Sequence, residues 1–509
     1  DGGEAPLYPT LAATEAGELV SASALAQKAK QFDDGLYAAV ELAAEQGAGS
    51  LPGKAPLLEH LAQALTPQSD QAPSSAPATV LAAAELGKLK VKLPPAARAA
   101  VQQQVDAFLG DPVRSKPLAF YTWSEQLAAI FRQDRMLQSE LKDKAGTETI
   151  VRALAADKQA RATYDAYLAL VARLTNPLAY PDLRPLLSDL DRGTLSAPAR
   201  GIYFLPPSQS YETELVKQLY GDRPIPAGFN LVDEMIRRIR SGQLSLKPGP
   251  ASGWYDYQTW ALEPLVVPEK MPEAKSLRLD DSYRRQLLEL FKGLLALTRE
   301  THIKQVEIAM AGAMAPRPEV VIHISPELSA EPLPTFYYRR AWSYFYIGWA
   351  LEQAFGAAAL EQMHRLTAAG PVKPTLAAEL HSMADLFYGA HVTVCRQLGI
   401  APVSSPQLGR GKGAQADTTV FSAWQAALAD DPDVGQDARM MVPVFYDAQR
   451  RQTKVWAFLG WDRRPVEFGF AQNPAATILD AAGAPLKTAP PRLKFHSTSR
   501  LLTYPVTAE

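Results

Sequence analysis

The stretch TFYYRRAWSYFYIGWALEQAF, Thr335–Phe355, decides the class of fold. Tyr338, Trp342, Phe345 and Trp349 recur at helical spacing, and Tyr337 with Tyr344 defines a second face. A helix that is apolar on several sides belongs at the centre of a helical body. The reading is therefore a buried core helix, whose Tyr and Trp polar atoms need partners.

The segments on either side are helical too. Downstream, helices are expected at Ala358–Leu366, Thr375–Leu398 and Thr419–Leu428, with a Gly-rich loop before the last. Upstream, Asp281–Met314 reads as a long helix with Leu287, Phe291, Leu294, Leu295 and Thr298 on one stripe. The run VVIHIS, Val320–Ser325, alternates like a short strand. Residues 1–200 are rich in alanine, the best helix former. Helices are predicted there at Ser21–Glu45, Pro56–Leu65, Pro95–Leu109, Pro117–Lys144 and Glu148–Leu174, and Thr66–Thr79 reads as a linker. Residues 177–275 are Pro- and aromatic-rich. They are expected to be long ordered loops packed on the helices, with short helices only at Glu212–Leu219 and Leu231–Arg240.

The last part changes character. MVPVFYDA (Met441–Ala448), TKVWAFLGW (Thr453–Trp461), VEFGFA, TILD, RLKFHS and LLTYPV are short β-prone runs divided by turn residues. From Arg439 onward ten Lys/Arg face five Asp/Glu, a local net charge of +5. The expected architecture is mainly α, a multi-helix bundle or array with a small C-terminal all-β, sandwich-like module. Its parts are a flexible tether (1–20), an Ala-rich helical domain (21–176), the loop region (177–275), a second helical region (276–430) and the β module (431–509). The opening DGGEAPLYPT lacks a methionine, which fits a processed or trimmed chain and an extracytoplasmic, periplasmic or secreted, location.

Composition narrows the function. With 47 % hydrophobic and 21 % charged residues the chain can bury several cores, which excludes general disorder. Lys and Arg total 52 against 54 Asp and Glu, so there is no basic excess to hold nucleic acid. No apolar run reaches transmembrane length. Cys395 is the only cysteine, which rules out an intrachain disulfide, a CxxC zinc module and c-type haem. HExxH and GxSxG are absent. LGRGKGAQ lacks the Walker spacing and reads as a loop whose amides form at most an anion nest.

Two groups of residues carry the remaining chemistry. His381, Asp385, His391 and Cys395 share one predicted helix, with His391 and Cys395 one turn apart and His381 and Asp385 likewise. His302 lies on the inward stripe of the preceding helix. Imidazole and thiolate in one turn suit a transition metal, with His302 as a third ligand and His381 oriented by Asp385. The plainer reading is a core Cys beside a hydrogen-bonded His. In SGWYDYQTWALEPLVVPE, Trp254, Tyr255, Tyr257 and Trp260 surround Asp256. Aromatic faces stack on sugars or flat ligands, and Asp256 with Glu263 or Glu214 would supply the carboxylate pair of a glycosidase. The plainer reading is an aromatic loop plugging the core.

Two functions follow. The first is an extracytoplasmic binding or scaffold protein with a protein or glycan partner. The alternative is an enzyme, metal-dependent through His302, His391 and Cys395 or carbohydrate-active through Asp256.

Overall fold

The computed structural model describes residues 22–66, 72–221, 223–275, 281–306, 330–408 and 418–427, together with short strands near both ends. The body is mainly helical: α1 (Ala22–Gln46), α2 (Lys54–Leu65), α3 (Ser75–Leu86), α4 (Pro95–Leu109), α5 (Pro112–Ser115), α6 (Glu125–Leu137), α7 (Lys144–Ala156), α8 (Lys158–Leu174), α9 (Arg184–Asp191), α10 (Tyr211–Tyr220), α11 (Leu231–Ser241), α12 (Trp254–Val266), α13 (Asp281–Thr301), α14 (Pro334–Phe355), α15 (Ala357–Leu360), α16 (Leu376–Gln397) and α17 (Thr418–Ala427). Among the described residues, no helix is long and apolar enough to cross a membrane.

Helix α14 is central, as its aromatic girth requires. It packs along α16 on one side and α12 on the other, and also touches α8. Phe336, Tyr337, Ala341, Tyr344, Ile347, Leu351 and Phe355 are buried in one continuous apolar core. Phe345 and Trp349, on a different face, remain exposed.

Several expected elements are different. Thr66–Thr79 is not wholly linker, because α3 starts at Ser75, where Pro77 fits the first turn and the Ala-rich run continues. Pro117–Lys144 is not one helix. A short 3-10 turn, Ala119–Thr122, precedes α6, whose start is fixed by Ser124 accepting from the Leu127 amide. Glu148–Leu174 is two helices that meet at Asp157, whose side chain caps α8 through the amides of Gln159 and Ala160. The helix from Asp281 ends at Thr301, and residues 307–329, including VVIHIS and His323, lie outside the described residues. Ala358–Leu366 holds only the four-residue α15; Leu366–Thr367 then pairs with Gly370–Pro371.

The largest change is in the expected loop region, where α9 and α12 are helices. Helix α12 is seated by a close approach. A Cβ on Gly253 would lie 2.2 Å from the Thr175 carbonyl oxygen, so only glycine fits. The Gly253 amide donates to Asn176 Oδ1 at 3.1 Å, and the Tyr255 amide to the Thr175 carbonyl at 3.0 Å.

Near the ends of the chain, Gly3–Pro6, within the expected tether, is a strand paired antiparallel with Leu502–Val506. Leu502–Val506 pairs in turn with Leu493–Phe495, and that strand with Glu467–Phe468. Phe445–Asp447 pairs antiparallel with Gln452–Lys454, and Ile478–Leu479 with Pro485–Leu486.

Candidate functional site

Helix α1 carries a polar seam on its buried side, with Asp33, Tyr37, Glu41 and Glu45 at successive turns. Buried charge is costly unless paired, and here each charge has a partner. Lys304, in the turn after α13, donates to both oxygens of Glu41 at 2.6 and 2.7 Å and to Asp134 of α6 at 2.5 Å. Lys54 of α2 pairs with Asp134 and lies 3.0 Å from Glu45. Tyr121 donates to Glu41, and Tyr167 to Asp134. Burial pushes the Asp134 carboxyl up, but Lys304 and Lys54 outweigh it and hold the group below its ordinary range. Three carboxyls meet two ammonium groups. Burial raises the Glu45 carboxyl above its ordinary range, opposed by the nearby Lys54 ammonium. The cluster braces α1, α2, α6 and the turn after α13.

A second network holds His302. Gln258 Nε2 donates to Asp33 at 2.9 Å, because a carboxylate only accepts. The Gln258 Oε1 atom is therefore the acceptor for His302 Nε2 at 2.8 Å. That puts the ring proton on Nε2. His302 Nδ1 then accepts from Thr175 Oγ1 at 3.1 Å, and Thr175 accepts from the Tyr37 hydroxyl at 2.8 Å. Asp33 is also paired with Arg340 and accepts from Tyr344. The rings of Tyr37, Trp254 and Tyr255 stand edge-on around His302, with centroids 5.1–5.5 Å away. Burial, with Lys30 and Arg340 nearby, pushes the imidazole well below its ordinary value. His302 is thus a neutral ring with both nitrogens occupied. A cavity of about 30 Å³ lies at the Asp33 end, lined by Lys30, Thr301 and Arg340 among others, room for a water or two.

The aromatic segment is inside the fold. Trp254 and Tyr255 are fully buried. Tyr257 stacks on Tyr346 of α14 at 4.2 Å, and Trp260 lies under the Arg339 guanidinium at 4.5 Å. Asp256, in the first turn of α12, accepts from Asn176 at 2.7 Å and from Ser252 at 2.6 Å. Burial raises its carboxyl, opposed by those two hydrogen bonds. Neither candidate second carboxylate joins it. Glu263 pairs with Arg339, and Glu214 is on α10.

Of the metal candidates, His391 and Cys395 do meet, with Sγ 3.7 Å from Nδ1. Both ring nitrogens of His391 are already in use. Nδ1 donates to the Pro334 carbonyl at 2.8 Å, and Nε2 accepts from the Val403 amide at 3.0 Å. Burial lowers the His391 ring to about 4 and raises the Cys395 thiol to about 12, so neither is charged at neutral pH. His302 belongs to the other network. Among the described residues no group of three or more His, Cys, Asp and Glu is arranged to hold a metal.

His381 and Asp385 are placed differently. Both line a cleft of about 190 Å³ between α14 and α16, which Gln407 and Leu408 also border. The opposite wall holds Phe345, Gly348, Trp349 and Glu352 of α14. Apolar rings, open to solvent in a concave site beside a few polar groups, are the usual make-up of a ligand pocket. Comparison with known proteins finds no match among family models, curated proteins or solved structures. The cleft is the candidate site on its geometry alone.

The sequence reading named His381 but missed its neighbours Phe345, Trp349 and Glu352 as site residues. Their signal was the i, i+4, i+7 spacing across Gly348, within a helix read as core on every side. It also missed the α1 seam, whose signal was acidic residues at four-residue steps inside an Ala/Leu stripe.

Proposed function

We propose that this chain is a binding or scaffold protein that holds a small ligand in the α14–α16 cleft. The carrying observation is the pairing of exposed Phe345 and Trp349 with His381, Asp385 and Glu352 around one concavity. The competing enzymatic readings lose support from the same geometry. Asp256 is engaged by Asn176 and Ser252, and the rings of His302 and His391 are hydrogen-bonded at both nitrogens.

The C-terminal strands are read as a sandwich-like module that engages a protein or glycan partner. The location is read as extracytoplasmic, which the single, buried thiol of Cys395 suits. Tryptophan fluorescence of the full chain, screened against small molecules, tests the cleft. Binders are expected whose signal is lost in Trp349→Leu. A screen with no binder, or binders indifferent to Trp349→Leu, would overturn the reading. Fractionation of the native cell tests the location.

A further inference from the structure

Resting on that reading of the cleft, we propose that its ligand is an organic cation, an ammonium or guanidinium group carried on an apolar ring system. Three features of the walls lead there.

The first is the space. Phe345, Trp349 and Glu352 follow one another at i, i+4 and i+7 on α14, so they share the cleft face. Between them stands Gly348, and a Cβ added there would meet nothing within 4 Å. Ala377 and Ala384 stand opposite on α16. Small residues on both walls leave room for a flat group between the rings and α16.

The second is the sign of the charge. The described lining contains the carboxyl groups of Glu352 and Asp385 and neither lysine nor arginine. The Arg173 guanidinium on Trp349 stands outside that lining, so within the walls a cation finds the Glu352 carboxyl to pair with, and a carboxylate ligand finds no lysine or arginine.

The third is ring chemistry. A cation over an aromatic face is held by the ring quadrupole, most strongly by tryptophan. Trp349 already takes one such partner, since the Arg173 guanidinium lies 5.3 Å from its centroid. Phe345, at the next turn, extends the aromatic surface into the cleft. A cleft with aromatic rings, carboxyls and an apolar floor from Leu380 and Leu408 matches a ligand with a hydrophobic body and a positive head.

The test is calorimetric titration of the full chain with three probes of one shape: naphthylmethylammonium, naphthylmethanol and naphthoate. The ammonium is expected to bind at least tenfold tighter than the alcohol, and the carboxylate weakest. Glu352→Gln should cut the ammonium affinity about tenfold and leave the alcohol unchanged. Gly348→Leu fills the cleft from an unstrained helical position. It should abolish binding while raising the thermal midpoint, which separates a filled site from a misfolded one. Equal binding of ammonium and alcohol, both lost in Gly348→Leu, overturns the cationic ligand and leaves the cleft as a binding site. A preference for naphthoate, or ammonium binding that survives Gly348→Leu, also overturns it. If none of the three probes binds, the inference fails, and the binding function falls only if the wider fluorescence screen fails too.

Discussion

Arg339 donates through Nη1 to the backbone carbonyl of Trp260 at 3.0 Å, and that carbonyl is the one Pro264 leaves without its helical partner. A proline inside a helix removes the amide that would reach back four residues. Here a side chain from α14 replaces it. The same guanidinium covers the Trp260 ring and pairs with Glu263 at 2.7 Å. Arg339→Met should therefore cost about 2–4 kcal/mol, mostly from the carboxylate and carbonyl left unpaired. Adding Pro264→Ala restores an amide to the Trp260 carbonyl and should return about 1 kcal/mol. Thermal unfolding of the two single variants and the double variant measures the coupling. Strict additivity would show that Arg339 does not stand in for the missing amide.

The histidines give the fold a one-sided response to acid. His391 is held near 4 in the folded chain against 6.5 in the unfolded one, and burial is the cause. As pH falls through 6.5 the unfolded chain takes up a proton that the folded chain refuses, so stability falls with pH. At pH 5 this amounts to roughly 2 kcal/mol for His391 alone. The advantage of the parent over His391→Asn should shrink by about that amount between pH 7.5 and pH 5. A difference that stays constant with pH would mean the ring titrates freely in the fold. His302 is lowered in the same direction and should show the same sign.

These residues also mark how far the sequence was legible. Helices α4, α10, α14 and α16 could be read almost to the residue, because Pro, Ser, Thr and Gly punctuate them and apolar residues recur at helical spacing along each. Helix α12 could not. Its Pro264, its four aromatics and the PGPASG run before it all argue locally for a loop. The groups that overrule them, Arg339 and the Thr175 carbonyl, come from distant segments. His381 and Asp385 could be paired from spacing. Whether they faced solvent, core or a cleft depended on Gly348 and Trp349, more than thirty residues earlier.

Trp254 and Tyr255 are neighbours with opposite accounts. The Trp254 Nε1 atom is buried with no hydrogen-bond partner among the described residues, while the Tyr255 hydroxyl donates to buried Glu212. Trp254→Phe removes an unsatisfied donor as well as apolar area, and these effects oppose each other. Tyr255→Phe removes almost no area but strips Glu212 of a donor, leaving it the Arg299 guanidinium at 3.6 Å. Tyr255→Phe is expected to cost about 1–3 kcal/mol and Trp254→Phe less. Urea or thermal midpoints rank the two directly. The reverse ranking would place a hydrogen-bonded water at Trp254.

The strongest single dependence should be on Lys304. Its ammonium lies within 2.7 Å of three carboxylate oxygens on two helices, and the whole cluster is buried. Such a pair adds little over a well-packed apolar substitute, yet breaking it on one side is severe, because the other charge stays inside without compensation. Lys304→Met takes from Glu41 its ammonium partner and leaves Asp134 with Lys54, which Glu45 shares, and the expected loss is about 3–5 kcal/mol. Two responses separate this cause from simple mispacking. Adding Glu41→Gln to Lys304→Met restores the charge balance and should recover a clear part of the loss. Lowering the pH should also stabilise Lys304→Met relative to the parent. In the variant the buried Asp134 carboxyl loses one of the two ammonium groups that hold it low against its burial, and so binds a proton more tightly in the fold than it does in the parent. Far-ultraviolet circular dichroism during thermal unfolding at pH 7.5 and 5.5 gives both comparisons. A double variant no more stable than Lys304→Met, with the same pH dependence as the parent, would mean that Lys304 contributes packing and not charge.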